Sequence, residues 1–234
     1  MRLTPPAPAA RQRRRPLLTR EEIVEAAARV LEREGYEALT MRRLAEELGV
    51  QAPALYWHVR GRDELEGLLL DHLVADLDLA PTGADWRDDL RRIAAQWRHF
   101  LRGKREITRL AQYLNTYGPN LLRHMEVVLG VLRRAGLSDR DAAYAWGSGV
   151  DYVFNFAGAE AALRMPVADT GMTCDEMLAE VSRTFAALPA ETYPNVVALA
   201  ADLTTVHDVD ARFEFGVECL IAGIERRIGG AGKV

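Results

Sequence analysis

Residues 39–65 read LTMRRLAEELGVQAPALYWHVRGRDEL. Thr40 offers a hydroxyl to cap a helix, and Leu44, Ala45 and Leu48 follow at the spacing of one buried helical face. Gly49 supplies the left-handed residue that such a helix end prefers. Pro53 fits the first turn of a short third helix, where its missing N–H costs nothing. Tyr56, Trp57 and His58 are then consecutive. Three neighbouring side chains cannot all point into one core, whereas Leu55 and Val59, four apart, can. Short helices joined by a glycine turn form the pattern of a helix-turn-helix.

Outward from this stretch, Thr19 and Glu22 make a capping-box pattern for a first helix, with Ile23, Ala26, Ala27, Val30 and Leu31 at helical spacing and Gly35 ending it. A fourth helix is predicted over Asp63 to Asp78, on a stripe of Leu65, Leu68, Leu69, Leu73 and Leu77. Beyond Pro81 the periodicity predicts helices over Trp86 to Arg102, Glu106 to Tyr117, Pro119 to Ala135, Ser138 to Arg164 and Asp208 to Ile228. From Met165 to about His207 short helical stretches mix with Pro166, Gly171, Pro189 and Pro194. No segment has the alternation of a strand and there is no internal repeat. The fold class is all-α, with a basic disordered tail over 1–17, a DNA-binding head over 18–79 and a larger helical domain over 84–230.

Composition agrees. The chain has 234 residues, 49% of them hydrophobic, enough for a substantial core, and no apolar run of membrane-spanning length. The N-terminus carries arginines without the apolar stretch of a secretory signal. Cys174 and Cys219 match no metal or redox spacing, so a reduced, cytoplasmic protein is expected. Net charge is −4, but through Arg62 12 arginines face 8 glutamates, a net of +4, and the remainder carries 18 cations against 26 anions, a net of −8. A basic head on an acidic body suits an anion-binding module joined to a domain with another task.

In a helix-turn-helix the second helix enters the major groove, and its flanking groups meet phosphates. A Tyr hydroxyl and an imidazole can donate to phosphate oxygens while rings pack on sugars and the thymine methyl. The alternative places Tyr56 and Trp57 in the core beneath the fourth helix.

The stretch Leu18 to Leu70, and residues 39–65 above all, resembles the DNA-binding domain of the tetracycline-repressor (TetR) family. Trp86-Arg87-Asp88-Asp89-Leu90, Ala142-Ala143-Tyr144-Ala145 and the late FEFGVECLIAGIERRI resemble the regulatory domain of the tetracycline repressors. The resemblance implies a ligand-responsive repressor that binds a palindromic operator in double-stranded DNA as a homodimer. It places Thr40, Met41 and Arg42 against the backbone and a base edge. It sets Gln51, Ala52, Pro53 and Ala54 toward the groove, Tyr56, Trp57 and His58 on phosphate or thymine, and Arg62 on a phosphate. Ala52 and Ala54 depart from the tetracycline repressors, which carry longer polar side chains there. Arg42 and Gln51 are left as the main hydrogen-bonding readers, and a different operator sequence should follow.

Dimerisation is implied through the two longest late helices. Gly147, Gly149, Ala157, Gly158 and Ala161 would allow close approach in one, and Phe213, Val217, Leu220 and Ile224 stripe the other; ordinary monomer core explains the same pattern. The effector site diverges from the resemblance. Tetracycline binds as a magnesium chelate with a His ligand from the helix that here reads ITRLAQYLNTYGP, where no His occurs, and Ile93 replaces a polar grip. No cofactor or metal is expected. The candidate effector residues are Trp97, Tyr113, Tyr117, Trp146, Asp151, Phe154 and Asn155, for an aromatic or polycyclic molecule. Asp151, a charge within GSGVDYVFNF, must be paired or bound, either in the pocket or at a dimer interface.

Enzymatic readings fail on the residues. There is no Gly-x-Ser-x-Gly elbow and no His-Glu-x-x-His helix, and His58, His72, His99, His124 and His207 show no metal spacing. GGAGKV near the C-terminus has neither a preceding strand nor a following Ser or Thr. An architectural DNA binder without a ligand is the other competitor, but about 150 residues beyond the head exceed what dimerisation requires.

Overall fold

The computed structural model describes residues 18–102, 107, 110, 117–162, 172–204 and 208–230, and among these there are helices and no strand. The N-terminal part contains α1 (Arg20–Glu34), a 3-10 turn at Tyr36–Ala38, α2 (Met41–Leu48), α3 (Ala52–Leu55) and α4 (Arg62–Leu73). The body contains α5 (Trp86–Leu101), α6 (Pro119–Arg134), α7 (Asp139–Ala162), α8 (Cys174–Ala186), α9 (Pro194–Ala198), α10 (Ala200–Leu203) and α11 (Val209–Gly230).

The local signals act as their chemistry demands. The Thr19 hydroxyl accepts from Glu22 N–H at 3.1 Å while the Glu22 carboxylate accepts from Thr19 N–H at 2.9 Å, closing the capping box of α1. Thr40 caps α2 by accepting from Arg43 N–H at 3.1 Å. Gly49 ends α2 at φ 63° and ψ 35°, a left-handed conformation that costs a side-chain-bearing residue energy. Ile23, Val30, Leu44, Leu55, Leu65 and Leu69 are solvent-free and form the centre of the head. The apolar core continues from there through Leu70 and Val74 of the α4 end into Leu121, Val153, Phe213 and Ile221 of the body.

Two boundaries differ from expectation. The third helix is only four residues long, so Tyr56, Trp57 and His58 lie in the turn after it. The fourth ends at Leu73 rather than Asp78, and the chain turns over residues 74–76. There the Ala75 carbonyl accepts from Arg123 at 3.1 Å and the Leu77 carbonyl meets His124 Nε2 at 3.1 Å. Bonds to α6 replace helical continuation. The predicted helix 106–117 lies mostly outside the described residues; Ile107 and Leu110 are helical and buried.

In the body, α5, α6, α7 and α11 pack together. Arg98 of α5 is buried between Glu160 of α7 at 2.9 Å and Asp210 of α11 at 2.7 Å, with the Phe213 ring 4.7 Å from its guanidinium. Arg91 and Glu218 add a bidentate link at 2.6 and 2.9 Å between α5 and α11. Helices α8, α9 and α10 pack on one another. No helix among the described residues is long and apolar enough to cross a membrane.

Candidate nucleic-acid interface and ligand cavity

The turn after α3 leaves Tyr56 54% and Trp57 88% exposed, so the core alternative for these residues fails. His58 is half-buried, and its carbonyl accepts from Arg20 Nε at 3.1 Å and Nη2 at 2.9 Å. Arg20 also pairs with Glu64 at 2.7 Å. Helix α1 therefore pins the turn that displays the two aromatics. Gln51 and Pro53 are exposed beside them, and Ala52 and Ala54 are half-buried.

The cations divide into two groups. Arg43 is held by Glu34 and Glu47, at 2.7 and 2.8 Å. Arg62 is held by Glu66 at 2.6 Å and lies over the Tyr36 ring, 4.6 Å from its centroid. Burial, with Glu66 close by, pushes the Tyr36 phenol above its ordinary pKa. Arg42, by contrast, has a side chain 90% exposed, and its nearest anion, Glu46, is 3.9 Å away. Thr40 is exposed and its hydroxyl is committed to the α2 cap, while Met41 packs its half-buried side chain on the core. Arg42, Gln51, Pro53, Tyr56 and Trp57 are thus all exposed on α2, α3 and the following turn, and α2 and α3 pack together. Large aromatics so exposed have no internal packing role.

A cavity of about 520 Å³ lies between α5, α6, α7 and α11, and Leu70 of α4 also borders it. Its size is that of a small-molecule site. Trp97, Tyr117, Trp146, Asp151, Phe154 and Asn155 all line it, as does Ile93; Tyr113 lies outside the described residues. Trp97 and Phe154 meet at 5.2 Å between centroids, tilted by 47°, and form an apolar corner of the cavity. Gly147 and Gly149 border the cavity, and a Cβ on either would meet nothing within 4 Å, so neither brings described helices into closer contact. Asp151 is exposed in the single chain, and Asn155 donates its amide to the Asp151 backbone carbonyl at 2.7 Å. These two residues and the exposed Tyr117 mark the open side. Among the described residues no three His, Cys, Asp or Glu side chains converge to hold a metal ion.

Two residues of this region escaped the sequence reading. His124 is only 4% exposed, lines the cavity and stands edge-on to Trp97 at 5.6 Å and 86°. Burial, then the neighbouring Arg123 charge, lowers its pKa. The signal was present, because Leu121, His124, Val128 and Val131 form one helical stripe with a single polar member. The second residue is Asp71, buried at the end of α4. Its Oδ1 accepts from Leu121 N–H at 2.8 Å and its Oδ2 accepts from Asn120 Nδ2 at 3.0 Å. Asp71 therefore caps α6 from another helix, in place of Gly118, where a Cβ would collide with its carboxylate. Helix α6, a cavity wall, is thereby bonded to the chain that carries the head.

Comparison with known proteins places both halves. Residues 80–228 match the family described as "Tetracyclin repressor-like, C-terminal domain", and residues 23–65 match "Bacterial regulatory proteins, tetR family". An HTH-type transcriptional regulator of Saccharopolyspora erythraea is 33% identical over 95% of this chain and 91% of its own length. The HTH-type transcriptional repressor DrrR1 of Streptomyces coeruleorubidus is 32% identical over 90% of this chain and 78% of its own. The crystal structure of apo ActR from Streptomyces coelicolor superposes with a TM-score of 0.80, at 32% identity, covering 93% of this chain and all of that one. ActR has also been solved in complex with actinorhodin, with a TM-score of 0.78 to this chain.

Proposed function

The chain belongs to the tetR family of bacterial regulatory proteins and is a ligand-responsive transcriptional repressor, and we propose that it acts as a cytoplasmic homodimer on a palindromic operator. The observation that carries the mechanism is the position of the cavity. It is bordered by Leu70, and its α6 wall is bonded to Asp71, Ala75 and Leu77 at the end of the helix supporting the head. A molecule that spreads the cavity walls must move α4 or break those bonds. Release requires only that the effector prefer the non-DNA-binding arrangement by a few kcal/mol.

The reading assigns base contacts to Arg42 and Gln51. Thr40, Met41, Ala52, Pro53 and Ala54 shape the groove-facing edge, and Tyr56, Trp57, His58 and Arg62 meet phosphate, sugar or thymine. The exposed Arg42, Tyr56 and Trp57 support it; Arg62 would reach a phosphate while keeping Glu66 as its anchor. Two heads about 34–36 Å apart would read the two half-sites. Tyr144 on α7 and Phe215 on α11, 68% and 71% exposed, support dimerisation through these helices. The effector is an aromatic or polycyclic compound and not a tetracycline–magnesium chelate, a reading supported by the apolar wall and by Ile93 within it.

The experiment is an operator-release assay on the full chain. Aromatic compounds, including actinorhodin, which a structural neighbour holds, are tested beside tetracycline with Mg²⁺. Release by an aromatic compound at micromolar concentration is expected. Retention on DNA under every compound, or release by the chelate that a metal-sequestering agent reverses, overturns the reading.

A further inference from the structure

The geometry of His124 fixes a chemical demand that the apolar walls do not. Its Nε2 lies 3.1 Å from the Leu77 carbonyl oxygen, which can only accept, so Nε2 carries the proton. In a neutral imidazole the other nitrogen is then a bare acceptor. That nitrogen, Nδ1, is buried and has no hydrogen-bond partner among the described residues. Burial and the Arg123 charge favour the neutral ring, against weaker opposing influences from the Leu77 carbonyl and Asp71. An unpaired buried acceptor is costly. Because this one has almost no surface open in the cavity, a donor reaches it only from a molecule that displaces the side chains packed against it.

What can enter is shaped by the neighbours. Trp97 stands edge-on to the imidazole and packs against Phe154, so a flat ring lying along Trp97 brings its edge toward His124. We infer that His124 selects the effector by accepting, at Nδ1, a hydrogen bond from a hydroxyl or N–H carried on an aromatic ring. This rests on the reading of the cavity as the effector site and adds the chemistry of its recognition. Because the same imidazole bonds Leu77 beyond α4, the selecting residue is also one of the ties between the cavity wall and the head-bearing segment.

The test uses the full chain and two probes with the same ring and oxygen position, 2-naphthol, which can donate, and 2-methoxynaphthalene, which cannot and is larger by one methyl, titrated by calorimetry. Wild-type protein should bind the naphthol about five- to tenfold more tightly, the worth of one ordinary hydrogen bond. His124→Phe should bind the two alike, with the ether near its wild-type affinity. Nitrogen-15 spectra of wild-type histidine give a second reading that needs no variant. Nδ1 should be unprotonated in the free protein, and its signal should move with the naphthol and stay with the ether. Equal affinity of both probes for wild-type leaves the cavity as a ligand site and overturns the role of His124. A proton on Nδ1 overturns it regardless of affinity. Binding of neither probe overturns the cavity reading and this inference together.

Discussion

Two tryptophans mark the contrast between the halves of this molecule. Trp57 stands almost wholly in solvent on the head, whereas Trp97 is wedged among Phe100, His124 and Phe154 in the body. The head satisfies itself internally and leaves its unused groups outside. Its paired cations, Arg20, Arg43 and Arg62, fix the scaffold, while Arg42 is left extended. The body does the reverse, keeping open space and an unpaired acceptor inside a frame tied by Arg98, Glu160 and Asp210. A surface that must fit a partner of fixed shape can be built rigid and exposed. A site that must change shape when filled needs its vacancy within, held by strong surrounding ties.

The sharpest test of that contrast is the frame. Glu160→Ala removes the buried member of the two anions that hold Arg98, leaving only the largely exposed Asp210, and should destabilise the protein by about 3–5 kcal/mol in chemical denaturation. Glu64→Ala, at the half-exposed Arg20 pair of the head, should cost about 1 kcal/mol or less. Equal losses would erase the distinction. Arg42→Ala comes next. It should remove about 1–3 kcal/mol of discrimination at one base pair per half-site, with thermal stability unchanged. Unchanged base preferences in a randomised-site selection would remove Arg42 from the reading edge.

Asp71→Ala uncaps α6 at the junction and should cost about 1 kcal/mol in urea. A neutral result would mean that the cavity wall is not bonded firmly to the head-bearing helix. Trp57→Ala should alter folding stability by less than about 0.5 kcal/mol while weakening operator binding, measured by denaturation and by fluorescence anisotropy. A large stability loss would show Trp57 to be structural after all. The smallest effect is a pH dependence. His124 has a folded-state pKa below its ordinary 6.5, so the unfolded chain holds the proton more tightly. Its contribution is fully present above about pH 6.5 and is lost as pH falls toward the depressed folded value. Urea midpoints at pH 7.5 and 5.5 should therefore separate more in wild-type than in His124→Phe.

Short-range chemistry made the head legible from the amino acids alone. The Thr19 and Thr40 caps, the Gly49 turn and the Leu55–Val59 pair are written within a few residues of where they act, and the structure repeats them almost position by position. Helical periodicity also disclosed that the body is helical and which aromatics line its interior, since Trp97, Trp146 and Phe154 border one cavity. Long-range contact settled the rest. No local pattern says that α4 stops at Leu73, because the carbonyls beyond it turn toward Arg123 and His124, almost fifty residues away. Nor does the sequence around Asp71 show that it caps a helix starting at Pro119, or that Asp151 is exposed in the single chain. A helix declares its apolar face through spacing within one or two turns, but the partner of each polar atom is chosen by how separate helices dock. That docking left His124 with one nitrogen bonded and the other bare.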